Sequence, residues 1–132
     1  MSERQAKKIL VVDDDEHSLM VMDSLLKGEG YATTATWSTG EALRLLRSRP
    51  FDLVLFADNP PNKDSEEFLE KVQRMAIQPQ VVIIQRIPSA DAQHRFMGKG
   101  ASGVLTKWMT APEISRSVRE QLKSNALQAA CA

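Results

Sequence analysis

Apolar and polar positions follow two alternating rhythms along this chain. Ile9-Leu10-Val11-Val12 is an unbroken apolar run bounded by charge, the pattern of a strand buried on both faces of a parallel sheet. Behind it Leu19, Met22, Leu25 and Leu26 recur at helical spacing, and Gly28 and Gly30 supply stop signals. Tyr31 to Thr36, rich in Thr, reads as a second strand. Ser38-Thr39-Gly40-Glu41 then has capping-box spacing and opens a helix carrying Ala42, Leu43 and Leu46. Asp52 to Phe56 predicts a third strand, ended by Pro60-Pro61-Asn62, and Asp64 with Glu67 predicts the cap of a helix through Phe68, Val72 and Met75. Val81 to Ile84 is a fourth strand. Ser89 caps a helix that buries Ala92 and Phe96 and stops at Gly98-Lys99-Gly100, before a short fifth strand, Gly103 to Leu105. Thr110-Ala111-Pro112-Glu113 is a second capping box, with Ile114, Val118 and Leu122 behind it.

Five strand–helix units in tandem predict an α/β fold, a parallel sheet with helices on both faces, because right-handed crossovers lay each helix on one side or the other. Chemistry in such sheets gathers at the carboxyl ends of the strands, where strand order reverses. The residues predicted to share that edge are Asp13 and Asp14, Ala57 and Asp58, Gln85, and Lys107.

Composition narrows the functional classes. A chain of 132 residues has room for one domain, with 17 basic residues balancing 17 acidic ones. Lys and Arg are scattered, which argues against nucleic-acid binding and against anionic membranes. No apolar stretch approaches the roughly 20 residues of a membrane span. The N-terminal MSERQAKK is too polar and short for a signal peptide, and the single cysteine, Cys131, has no internal partner, so the expected compartment is cytoplasmic.

The spaced anchors ILVVDDDE, FDLVLF, a Pro-containing loop before an Asp-bearing helix, and GASGVLTK ending on Lys107 resemble the receiver domain of bacterial two-component response regulators. The resemblance runs from about residue 8 to residue 122. It implies the CheY-like, flavodoxin-like fold: three layers, a doubly wound five-stranded sheet in the order 2-1-3-4-5, and five helices. It divides the chain into an extension (1–7), a receiver domain (8–124) and a tail (125–132), the last expected to prolong the final helix or fray and too short for an output domain. It also implies a mechanism, in which an Asp after strand three takes a phosphoryl group from a histidine kinase and an acidic pair after strand one helps to hold Mg²⁺. A Lys after strand five pairs with the phosphoryl oxygens, and a Thr or Ser after strand four reports the change.

Carried over by position, Asp13 and Asp14 match the acidic pair and Lys107 the lysine, with the Asn59 backbone carbonyl as a third metal ligand. The acceptor position falls on Ala57. Asp52, Pro61 and Asp64 fix that register together. Period two places Leu53, Leu55 and Ala57 on one face of the strand and Val54, Phe56 and Asp58 on the other, so Asp58 aims away from Asp14 and Lys107 unless a bulge swings it back. Gln85 stands at the Thr/Ser position of the phosphate and switch pocket and is expected to crowd it, with Arg86 after it. Val104 replaces the switch aromatic. Trp108 replaces the proline after the lysine, so the Lys107–Trp108 bond is expected to lose the family's cis geometry, which costs about 3 kcal/mol without proline.

These readings lead to a stand-alone, non-enzymatic, degenerate receiver that acts by protein–protein contact in phosphorelay signalling. Its partner would be a histidine kinase or a downstream effector, met through the face of helix four, strand five and helix five with Arg86, Val104 and Trp108, a face that also suits a homodimer. Mg²⁺ binding is expected to be weakened by the missing acceptor carboxylate. The alternative is a working phosphoacceptor that uses Asp58 with Mg²⁺, against the plainer reading of Asp58 as a solvated loop acid. A flavin-binding protein of similar topology is disfavoured because DDDE after strand one repels phosphate. His17 and His94 read as solvated surface residues, Trp37 and Trp108 as core edges or partner anchors.

Overall fold

A computed structural model of the chain describes residues 6–61 and 63–131, with side chains as far as residue 124. Five strands, β1 (Lys8–Val12), β2 (Ala32–Thr36), β3 (Leu53–Asp58), β4 (Gln80–Gln85) and β5 (Gly103–Thr106), alternate with five helices. The helices are α1 (Glu16–Gly28), α2 (Thr39–Ser48), α3 (Asp64–Gln73), α4 (Ala90–Gly98) and α5 (Ala111–Cys131). All four pairings are parallel and the order is β2-β1-β3-β4-β5, as the resemblance implies.

The central strands are buried on both faces, and their side chains divide by period two between two cores. Val54 and Phe56 of β3 join Leu10, Val12, Val81 and Ile83 against Phe68, Val72 and Phe96, with the Phe56 and Phe68 rings stacked at 4.4 Å. Leu53 and Leu55 join Ile9, Val11, Val82 and Ile84 against Leu19, Leu26, Ile114 and Val118. Ala57 follows Leu55, and Asp58 follows Phe56.

Several predicted boundaries shift. β3 runs on through Ala57 and Asp58 because both still pair with β4, opposite Ile84 and Gln85. Asp64 is the first residue of α3 rather than its cap; Lys63 holds that place without a side-chain cap bond, and Asp64 accepts instead from Thr39 Oγ1 at 3.2 Å. The first capping box is half formed: Ser38 Oγ accepts from Glu41 N at 3.2 Å, but the Glu41 carboxylate takes the Thr36 hydroxyl. The second closes fully, with Thr110 N donating to Glu113 Oε1 at 2.8 Å and Glu113 N to Thr110 Oγ1 at 3.3 Å. α1 ends at Gly28, and the turn after it takes Gly30 to a φ of 94°, which suits glycine. α5 continues past residue 124 to Cys131, prolonging the helix through the predicted tail. Asn62, part of the predicted break after β3, lies outside the described residues.

The outer strands β2 and β5 are short, and β2 is tied from two sides. Thr33 Oγ1 donates to Asp23 of α1 at 2.7 Å, and Arg49 donates to Thr34 Oγ1 at 3.1 Å.

Candidate functional site

The carboxyl ends of β1, β3 and β5 bring together Asp13, Asp14, Asn59 and Lys107. Asp13 extends the β1 ladder by one bond, its N–H donating to Thr36 O at 3.1 Å, and is 5% exposed. A carboxylate so buried must be paired or fully hydrogen-bonded. Asp13 Oδ1 accepts from Asp15 N at 2.9 Å and from Asn59 Nδ2 at 2.7 Å, while Oδ2 lies 3.1 Å from Lys107 Nζ.

Asn59 closes this arrangement. Its Nδ2 also donates to Asp14 Oδ1 at 2.6 Å, and its Oδ1 accepts from Lys107 Nζ at 2.7 Å. One carboxamide thus bridges both acids and the ammonium. The residue was expected to contribute only its backbone carbonyl, and nothing in the spacing of the sequence signals that its side chain enters the pocket.

Ala57 lines a cavity of about 310 Å³ with Asp13, Asp14, Asn59 and Asp64, and Trp37 stands at its rim, 71% exposed. Where the resemblance calls for a third carboxylate, the β3 side chain is a methyl group. Mg²⁺ requires six oxygen ligands in near-octahedral geometry. Here a hydrogen-bond donor, Asn59 Nδ2, faces both acids and an ammonium already neutralises Asp13. Among the described residues no group of three or more His, Cys, Asp or Glu side chains could hold a metal ion. As folded, the pocket sets Asn59 Nδ2 against both acids and the Lys107 ammonium against Asp13.

Asp58 is on the other face. It is half-buried at the end of β3, and Ser65 Oγ, from a residue 3% exposed in the first turn of α3, donates to its Oδ1 at 2.7 Å. The β3–β4 register passes through Ala57 and Asp58 without a bulge, so no slip returns Asp58 to the acidic pocket. The reading of Asp58 as a solvated loop acid is corrected on the same grounds: it is a strand residue with a buried hydroxyl partner. It lines a separate cavity of about 470 Å³ with Pro60, Lys63, Ser65 and Ser89.

Gln85, 4% exposed, does not crowd the acidic pocket. Its Nε2 donates to the Ser89 carbonyl at 3.2 Å, at the cap of α4. Arg86 is exposed and donates to Pro60 O at 3.2 Å. Trp108 is 73% exposed, yet its indole N–H donates to Arg86 O at 2.8 Å, so the ring is oriented while its faces remain open. Val104 is half-buried and packs against the core that contains Phe96. The Lys107–Trp108 peptide is not among the cis bonds of the described residues. His17 and His94 are exposed. No helix is long and apolar enough to cross a membrane, among the described residues.

A family model, the response regulator receiver domain, matches residues 9–119. The transcriptional regulatory protein ZraR of Klebsiella oxytoca is 29% identical over 114 residues, covering 86% of this chain and 26% of that protein. The two-component response regulator ARR12 of Arabidopsis thaliana is 30% identical over 107 residues, 80% of this chain and 17% of that protein. The chain thus spans a minor part of the curated relatives it matches. A CheY-like receiver domain from Methanospirillum hungatei superimposes with a TM-score of 0.86 at 24% identity, covering 94% of this chain and 99% of that one. The receiver domain of Francisella response regulator 1452 gives a TM-score of 0.81, also at 24% identity, over 89% of this chain and 98% of that one. With the fold, the strand-end edge and the family match in agreement, the chain belongs to the response regulator receiver domain family, the signalling module of two-component systems.

Proposed function

We propose that this receiver works without aspartyl phosphorylation, by protein–protein contact, with its acidic pocket held by internal partners in place of Mg²⁺. The observation that carries this reading is Ala57. It stands on the wall of the pocket where Asp13, Asp14 and Asn59 converge, while the adjacent carboxylate of Asp58 is engaged by Ser65 on the opposite face. A methyl group accepts no phosphoryl group, so neither an aspartyl phosphate nor its hydrolysis is available at this position.

The partner surface in this reading is the α4–β5–α5 face, with Trp108 as its anchor. Exposed, orientation-fixed aromatics are the residues on which interface energy concentrates. The chain of bonds from Pro60 O through Arg86 to the Trp108 indole fixes that anchor relative to the loop after β3. The partner is a signalling protein, a kinase or an effector, or a second copy of the chain; the balanced charge gives nucleic acid no electrostatic footprint.

Intact-mass spectrometry after incubation with acetyl phosphate and Mg²⁺ tests the reading, with a conventional receiver as positive control. The expected result is no phosphoryl increment on the wild type. An increment that disappears in Asp58→Asn would overturn it and make Asp58 the acceptor.

A further inference from the structure

A second cavity adjoins the acidic pocket and shares Val12, Asp13 and Ala57 with it. It measures about 290 Å³ and is framed by α1, the ends of β3 and β4, and the start of α5. Leu55, Ile84 and Ile114, all buried, form much of its wall, with Met22 and Met109 half-buried beside them. Its rim carries Val21, which leaves 55% of its surface exposed.

We infer that this cavity is a binding site for a small uncharged molecule with an apolar body and a single hydrogen-bonding group. Size sets the first limit: an apolar cavity of about 150 Å³ holds benzene, so this one, nearly twice as large, accommodates a bicycle or a ring with a short chain. Lining sets the second. Aliphatic side chains dominate it, and the two methionines are unbranched and adjust to a guest's outline. Charge sets the third. The polar lining is Asp13, His17, Ser18 and Lys107: the ammonium is already neutralised by Asp13 and bound by Asn59, the Ser18 hydroxyl is engaged by Asp15, and the His17 imidazole stands exposed as the polar group a guest's single hydrogen-bonding group would meet. An anionic guest would meet Asp13 across the same ion pair. A cationic guest would compete with Lys107 beside largely apolar walls. Neither charge finds an uncommitted counter-ion against the aliphatic wall, and removing an unpaired charge from water is costly.

Ala57 connects this inference to the family. A carboxylate at that position would place a charge at the margin of the cavity; the methyl group keeps the margin apolar. Occupancy would supply an input that needs no phosphoryl group, although the inference rests on the cavity and its lining and not on how Asp58 behaves.

The methyl-labelled 132-residue chain titrated with indole, indole-3-acetate and tryptamine tests it, since the three share a ring system and differ in charge. Indole is expected to give saturable NMR shifts concentrated on Val21, Met22, Leu55, Ile84, Met109 and Ile114. The two charged congeners should bind at least about tenfold more weakly. Ala57→Leu should abolish the indole response by filling the wall, and Ala111→Leu, which fills the cavity from the exposed start of α5, gives the same reading should the first variant misfold. Non-saturating or scattered shifts, equal responses to all three probes, or an undiminished response in a folded filled variant would each overturn the proposal.

Discussion

Lys107 Nζ lies 3.1 Å from Asp13 Oδ2, and the two side chains are only 13% and 6% exposed. An ion pair this buried adds little net stability by itself, yet removing one partner strands the other charge out of water. Lys107→Met is therefore expected to destabilise the fold by about 3 kcal/mol. Asn59→Ala, which removes a neutral bridge, should cost about 1–3 kcal/mol. Urea denaturation measures both, and a Lys107→Met protein as stable as wild type would refute the pairing.

The same pocket predicts indifference to magnesium. Raising Mg²⁺ to 10 mM should leave the urea midpoint of the wild type unchanged. Ala57→Asp adds a carboxylate to this wall, and a site with a dissociation constant near 1 mM would then gain about 1.4 kcal/mol at that concentration. A wild-type midpoint that rises as much as the variant's would show that two acids suffice.

Much of this was legible in the sequence because each strand's apolar run and each helix's stripe were unambiguous, and because period two along Leu53–Asp58 separates Ala57 from Asp58. Side-chain choices among polar neighbours were not legible. Asn59 could solvate its amide or insert it, Gln85 could enter the pocket or turn to Ser89, and Asp64 could cap α3 or begin it. Each choice depends on which donor or acceptor the tertiary fold brings within 3 Å or so, a distance that local sequence does not encode. β3 outruns its apolar pattern for a related reason: Ala57 and Asp58 are poor strand formers, but pairing with Ile84 and Gln85 holds them in the sheet.

Trp108 tests the docking face. Its ring is mostly in solvent, so Trp108→Ala should shift stability by no more than about 0.5 kcal/mol. Loss of a central aromatic anchor should weaken partner binding by about 2 kcal/mol or more, roughly thirtyfold. Calorimetry with a partner recovered by affinity capture separates the two effects, and unchanged affinity would remove Trp108 from the interface.

The start of α5 should respond to acid. The Thr110 backbone N–H and its hydroxyl, both bonded to Glu113, hold that carboxyl below the usual glutamate range. Because the folded state favours the ionised form, this contribution is complete above the ordinary glutamate range and is lost as pH falls through the lowered value. The Thr110 amide resonance should therefore move with a midpoint below that of a free glutamate, and the step should vanish in Glu113→Gln. An identical titration in that variant would assign it elsewhere.

The outer strands, finally, bear on how anything attaches to this molecule. β5 is four residues long, and β2 is five residues of Thr and Ala anchored to α1 by Thr33 and reached from the end of α2 by Arg49. Short edges offer little backbone to a foreign strand. Recognition is thereby left to side chains and cavities, and neighbouring copies find no long ribbon on which to stack.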